Sequence, residues 1–570
     1  MGDDGVDVAM IETDVVVLGT GAAGLTAALS ARGHGARVIV LEKSEKVGGT
    51  SAWSGGMIWI PNNPHMRDAG IADSREEALT YLQSLSHGMI DPLLAESFVD
   101  NGPVMVRWLE ANSPVQFQLV PEFPDYHPEH PGGKPGGGRS LECPLFSYLD
   151  LGAARHNVTV GFNYGTAPIT MEESTLGRAV PREVPAQEVA RRAQFDERGC
   201  GQALIGRLYK GCLDGGIDIR TQARALNLLV EDGAVRGVQA HGPDGDLTIR
   251  ARGGVILATG GFEWNKGLVT SFLRGPMTSP VSVPTNEGDG LIMCMRIGAA
   301  LGNMREAWWM PAVEAPGDRG DGRIPTHLFA SQRARPRSIM VNRAGKRFTN
   351  EAANYNAIGA AFHEQDVARF DYANLPCWFV FDQKHLDTYG FIDTRKGGAA
   401  PNWVTRAQTL RNLAEQLGID ADGLIATVAR WNAHVAAGCD ADFHRGESAH
   451  DNWWGDPQVK GRPAATLGEI AVGPFYAVEV KSGTLGTKGG PKTDGHARVQ
   501  HVDGQTIPGL YAAGNVMASA MGMTYGGAGG TLAPGMVFGF LAGKDAAARI
   551  STKTPRNRAR ISRQAPRNTT

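Results

Sequence analysis

No run of eighteen apolar residues occurs in this 570-residue chain, so the sequence offers no transmembrane helix. Its six cysteines (Cys143, Cys200, Cys212, Cys294, Cys377 and Cys439) form no CxxC pair. Metal clips and disulfide frameworks are therefore not expected. A net charge of -3 supplies no broad basic face, which excludes a nucleic-acid binder. The opening Met1-Gly2-Asp3-Asp4 is acidic where a signal peptide would be basic. Together these absences lead to the expectation of a soluble, cytoplasmic protein, with peripheral membrane contact left open for an apolar substrate.

Glycine is abundant instead, at 75 residues, and it gathers in short motifs rather than low-complexity runs. The densest is Met521-Gly522-Met523-Thr524-Tyr525-Gly526-Gly527-Ala528-Gly529-Gly530-Thr531-Leu532. Such a backbone can come very close to a flat ligand, because glycine adds no bulk and tolerates left-handed dihedrals. The apolar run from Met536 to Gly543 reads as a helix whose first turn aims free amides back at the loop.

The N-terminal half explains what that ligand is. After a tail expected to fray over residues 1–12, Asp14 to Leu18 reads as a buried parallel strand. It enters Gly19-Thr20-Gly21-Ala22-Ala23-Gly24 and a helix through Ala31, and a second strand, Arg37 to Leu41, ends in Glu42. Strand, glycine turn, helix, strand and acid at this spacing make a dinucleotide site. The helix N-terminus holds the pyrophosphate and Glu42 accepts from a ribose hydroxyl. Next come Lys43, Gly48-Gly49-Thr50-Ser51 and Ser54-Gly55-Gly56, a second small-residue loop placed to follow the ribityl chain. Here the sequence resembles the large FAD-dependent family that includes the fumarate reductase and succinate dehydrogenase flavoproteins. Members with covalent flavin carry a histidine in this loop. None stands between Lys43 and Pro64, so the resemblance implies non-covalent FAD.

Further along, the backbone around Ala225 is placed to meet the adenine. Gly254 to Phe262, with Thr259 and Gly260, matches the family's second phosphate-proximal turn. The resemblance gives Asp289 a dinucleotide contact; helix capping is its alternative. The nucleotide-type motifs resume with Gly514-Asn515 and end in Gly530-Thr531-Leu532. The expected fold is α/β, a Rossmann-type FAD-binding domain with an inserted α+β catalytic (capping) domain. Its FAD-binding parts are residues 10–303 and 472–550, the cap is 304–471, and 551–570 is a disordered basic tail. Residues 153–197 read as a polar, irregular insertion of unassigned role.

The substrate must be read from the flavin's neighbours. In dicarboxylate-specific relatives an arginine follows the glycine-rich motif and clamps a carboxylate. Met517 to Phe540 contains no Arg, Lys or His, and offers Met521, Met523, Leu532, Met536, Val537 and Phe538. A large apolar substrate suits that lining. Three tyrosines remain: Tyr126 in a loop of four prolines and five glycines, Tyr355, and Tyr525.

With Trp59-Ile60-Pro61-Asn62, Asp125-Tyr126-His127-Pro128, Asn342 to Tyr355, Gly486-Thr487-Lys488-Gly489-Gly490 and Thr524 to Met536, the chain closely resembles the 3-ketosteroid Δ1-dehydrogenases. That resemblance implies that Tyr355 is the base removing the C2 proton and that Tyr126 hydrogen-bonds to it and favours its phenolate. It also implies that Tyr525 and the Gly529 amide hold the C3 carbonyl, that flavin N5 takes the C1 hydride, and that an external acceptor such as a quinone reoxidises the flavin. The alternatives are a 5α-steroid Δ4-dehydrogenase working through Tyr476, a fumarate-reductase-like enzyme, or a flavin-binding electron carrier. Tyr476 is expected to pack in a domain core.

Overall fold

The computed structural model describes residues 9–553 apart from residues 179, 319–322, 393 and 460. The first strand, Ala9–Leu18, lies at the centre of an eight-stranded sheet. Its β-branched run is buried on both faces, as a parallel strand between helical layers must be. It pairs in parallel with Val38–Leu41 on one side and Gly245–Leu257 on the other. Asp218–Arg220 and Thr506–Ala512 extend the parallel array outward. Ala234–Gly242 and Arg224–Glu231 form an antiparallel meander off Gly245–Leu257. Ala9 to Glu12, expected to fray with the residues before them, instead pair with Leu247 to Arg250. Residues 1–8 lie outside the described residues.

Helix Ala22–Gly33 leaves the first strand and runs beside the last helix, Leu532–Lys553. Glycine sets how close the two come. A Cβ on Gly539 would lie 2.5 Å from the Ala23 carbonyl oxygen, and one on Gly543 would lie 2.4 Å from that of Ala27. Gly24 does the same between helix and strand, where a Cβ would sit 2.0 Å from the Gly19 oxygen. The last helix begins at Leu532, four residues before the apolar run that announces it, so the glycine loop feeds its first turn directly. It continues through residues 551–553, expected as tail; the remainder of that tail, from residue 554, lies outside the described residues.

A second, seven-stranded sheet forms the cap. Its path runs Thr326–Leu328, Ala307–Glu314, Phe475–Thr487, Cys377–Asp382, Ser338–Asn342. Alternate residues face opposite sides: Ile339, Val341, Trp378 and Val380 meet helices Leu410–Leu417 and Ala421–Ala437, while Met340, Phe379 and Phe381 build a separate core. The expected return to the nucleotide domain at residue 472 therefore comes later. Phe475–Thr487 pairs with strands of the cap on both edges, which binds it to the second sheet. The insertion 153–197 is largely irregular, with short 3-10 turns and one short helix, Ala186–Gln194. Asn163 ties it to the cap by accepting from the Leu328 amide at 3.1 Å. Among the described residues no helix is long and apolar enough to cross a membrane.

Candidate active site

Two helix N-termini and several glycine turns converge on one cleft of about 1720 Å³, its open mouth included. At one end stand Glu42, Lys43, Ala225 and Asp289. Glu42 is held by Thr20, which donates its hydroxyl at 2.6 Å and its amide at 3.1 Å, and by the Ser44 amide at 2.9 Å. Asp289 opens a helix but does not cap it; Gly288 holds the cap position at φ 82°. The Asp289 carboxylate instead pairs with Lys43 at 2.8 Å and with Arg224 at 2.7 Å.

The middle of the cleft is walled by Gly19, Gly21, Ala22, Ala23, Gly49, Thr50, Ser51, Thr259 and Gly260. Gly19 has φ 104°, and a Cβ there would lie 2.3 Å from the Ala258 oxygen; only glycine fits. Ser51 Oγ accepts from the Ala22 amide at 3.0 Å and steadies the helix start. Beyond lie Ser54, Gly55, Gly56, Gly514, Asn515, Thr531 and Leu532, the last two at the N-terminus of the final helix. Gly24, Gly48 and Gly530, expected as cofactor contacts, are not on the cleft wall. Gly24 serves helix–strand packing, Gly48 turns the chain at φ 110°, and Gly530 clears space beside the Tyr525 ring, 3.2 Å from where its Cβ would be.

This wall fits FAD. The carboxylates on it among the described residues, Glu42 and Asp289, lie at the ribose end, and the pyrophosphate stretch offers helix amides and hydroxyls instead. Among the described residues neither histidine nor cysteine lines it.

The three tyrosines meet at the far end of the same cleft. Tyr126 and Tyr355 hydroxyls are 2.8 Å apart. The Tyr525 ring centre lies 4.9 Å from that of Tyr126 and 5.4 Å from that of Tyr355. Tyr355 is the first residue of helix Tyr355–Phe362, set by its Asn354 cap, which accepts from the Ala357 amide at 3.0 Å. Gly529 lines the cleft beside Tyr525; its φ of 101° and the Ile58 backbone, 2.5 Å from a Cβ there, require glycine.

The glycine loop is pinned by its carbonyls. Asn356 donates to the Met523 oxygen at 3.1 Å and Lys488 Nζ to that of Thr524 at 2.7 Å. Tyr81 Oη (2.7 Å) and the Tyr126 amide (3.0 Å) both donate to the Gly526 oxygen. Ser140 holds that of Ala528 at 2.9 Å. Behind the loop, Trp59 donates to Asp125 at 2.7 Å, and buried Arg139 bridges Asp125 and Asp73 at 2.8 and 2.7 Å. The Tyr126 backbone thus anchors its loop against the glycine loop while the residue also lines the cleft.

Burial raises the pKa of all three phenols above the ordinary tyrosine value. Hydrogen bonding from Tyr355, from Thr531 and from the Gly529 amide opposes that rise at Tyr525. The Tyr525 oxygen and the Gly529 amide therefore stand side by side.

The apolar wall comes from unexpected places. Met536, Val537 and Phe538 are buried in the core because the final helix carries them inward, and Met521, in the loop before it, is buried there too. Of the apolar residues expected there, Leu532 alone lines the cleft among the described residues, and Val281, Val283, Met310, Leu328 and Leu485 do the work instead. The insertion adds Phe162, Tyr164 and Leu176; its composition gave no sign of this. Tyr476 is elsewhere, stacked on Phe381 at 5.2 Å and donating to Gln383 at 2.6 Å.

Fold and cleft together define a flavoprotein with an FAD-binding domain and a cap. Residues 14–532 match the FAD binding domain family. The chain is 42% identical to 4-oxocyclohexanecarboxylate 2-dehydrogenase of Sinomonas cyclohexanicum, over 93% of this chain and 92% of that one. It is 39% identical to 3-oxosteroid 1-dehydrogenase of Mycobacterium tuberculosis, over 93% and 97%. The crystal structure of 3-ketosteroid Δ1-dehydrogenase from Sterolibacterium denitrificans with 1,4-androstadiene-3,17-dione matches with a TM-score of 0.85 at 34% identity, covering 94% and 99% of the two chains. The chain belongs to the family of FAD-dependent oxidoreductases that contains the 3-oxosteroid 1-dehydrogenases.

Proposed function

We propose that this enzyme introduces the C1–C2 double bond of a 3-ketosteroid. The observation that carries the reading is the meeting of Tyr126, Tyr355 and Tyr525 with Gly529 on one wall of the cofactor cleft. Tyr525 Oη and the Gly529 amide hold the C3 oxygen and stabilise the enolate character that develops there. That polarisation acidifies C2, and the Tyr355 oxygen, as phenolate, accepts the C2 proton. Tyr126, 2.8 Å away, holds the base in place and shares its charge. FAD, when bound without a covalent link, supplies the acceptor for the electron pair that leaves C1 as hydride. An external oxidant such as a quinone then restores it. The apolar wall keeps water from the reacting carbons.

A second reading, dehydrogenation of 4-oxocyclohexanecarboxylate, draws support from the 42% identity. Its chemistry at the ketone would be the same. The lining argues for the steroid: the cations on the cleft wall among the described residues are Lys43 and Arg224, both at the ribose end and both paired with Asp289. A carboxylate beside the tyrosines would find no cation on the wall to pair with directly, at a cost on the order of 3 kcal/mol. The absence of Tyr476 from the wall weighs against the Δ4 alternative. Anaerobic bleaching of the flavin absorbance tests the reading. Androst-4-ene-3,17-dione should bleach it rapidly and 4-oxocyclohexanecarboxylate slowly; the reverse order would overturn the substrate assignment.

A further inference from the structure

Arg333 is completely buried, yet it forms no salt bridge among the described residues. Its guanidinium spends itself on backbone. Nε donates to the Phe329 oxygen at 2.7 Å, and Nη1 donates to the oxygens of Glu351 (2.5 Å) and Ala353 (3.1 Å), in the turn that leads into Tyr355. Nη2 has no hydrogen-bond partner among the described residues. A buried cation without a carboxylate is costly unless an anion stands near it in some state of the protein.

The surroundings identify that anion. The carboxylates closest in effect are already engaged: Glu351 by Arg347 at 2.8 Å and Arg445 at 3.1 Å, and Asp451 by Asn350 at 2.8 Å and the Gly446 amide at 2.9 Å. Arg445 is a second cation on the same side and opposes protonation of Arg333, whose pKa burial brings down to about 9. His450 presses its ring edge on Tyr126 at 5.0 Å, and burial brings its pKa down to about 3, so it stays neutral. The phenols complete the set: after Asp451 and Glu351, Tyr355 favours the charged guanidinium, and Arg333 in turn opposes the burial that raises the Tyr126 hydroxyl.

We propose that Arg333 is the counter-charge of the phenolate that Tyr355 and Tyr126 share, a positioning residue that brings the base into play at a lower pH than burial alone would allow. This rests on the role given to Tyr355 above. A tyrosine in an apolar wall starts from a pKa of about 10 and is pushed higher by burial, so a fixed positive charge behind it answers the largest obstacle to its use as a base. The guanidinium also braces the Glu351–Ala353 turn, which keeps the charge and the phenol in register.

The test uses the FAD-loaded enzyme with R333M, R333K and Y355F. In R333M, turnover near pH 7 should fall by about tenfold or more while the deficit shrinks toward pH 10, the kcat profile moving up by about one pH unit or more. Ultraviolet difference absorbance, which reads tyrosinate directly, should show the lowest-lying tyrosine ionisation displaced upward in R333M and absent in Y355F. R333K, which keeps a titratable cation but loses most of the carbonyl bonds, should recover part of the wild-type profile even if it melts earlier. A pH-independent loss in R333M, an unmoved tyrosinate titration, or an R333K profile shifted as far as that of R333M would overturn the proposal. Should R333M fail to fold, the R333K profile and titration decide alone. An active Y355F would instead overturn the base assignment, whatever Arg333 does.

Discussion

Replacing Gly527 by alanine should damage catalysis far more than stability. A Cβ at this position would lie 2.4 Å from both Cδ1 and Nε1 of Trp59 and 3.2 Å from Asp125 Oδ1. Neither neighbour can yield. Trp59 is fully buried and its Nε1 is tied to Asp125, which is itself held by Arg139. The loop must therefore move, by about an ångström to restore ordinary contact. Overpacking of this kind costs about 1–3 kcal/mol, a modest fraction of what holds so large a core. Tyr525 and Gly529 ride on the same loop, however, and a 1 Å misplacement of a catalytic group costs about a hundredfold. We expect kcat/KM to drop by about that factor while the melting temperature falls by only a few degrees. Gly136→Ala is the matched control, since a Cβ there meets nothing within 4 Å. Steady-state kinetics and thermal melts on both variants decide it. If G527A kept kcat/KM within about twofold of wild type, the inference from close contact to a rigid oxyanion hole would be wrong.

Three further outcomes follow from the site. Tyr355→Phe should lose nearly all turnover while still binding FAD and steroid, by flavin fluorescence and by equilibrium titration; retained turnover would remove the base. Because the base acts only after losing its proton and burial holds Tyr355 above the ordinary value, kcat should rise with pH from neutral to alkaline, by up to about tenfold per unit; a flat profile would contradict this. Lys488→Met removes the donor to the Thr524 oxygen, leaving a buried carbonyl unpaired at about 1–3 kcal/mol. Weaker steroid binding with unchanged FAD affinity is the expected result, and unchanged steroid binding would show that the clamp is idle.

How far the sequence carried this depended on the range of the interaction. The glycine turn at Gly19, the buried strand before it and the cradle at Thr531-Leu532 obey local rules, and they stand where the motifs put them. Arg333, Lys488 and Tyr164 carry no local signature. Arg333 reaches 20 residues along the chain, to Ala353, and Lys488 reaches 36, to Thr524. The direction of the final helix was equally hidden: Met536, Val537 and Phe538 follow a glycine loop that touches the cleft, but one turn of helix carries them into the core. Phe475–Thr487 misled because a strand's own residues do not say which sheet will flank it.

The contact between the first and last helices has a consequence for how the molecule is made. The floor of the flavin cradle is shared by segments more than 500 residues apart, represented by the hydrogen bond from Ser30 to the Phe540 oxygen, which spans 510 positions. During synthesis the N-terminal turn emerges long before its companion exists, so the cradle is whole only once both segments have left the ribosome.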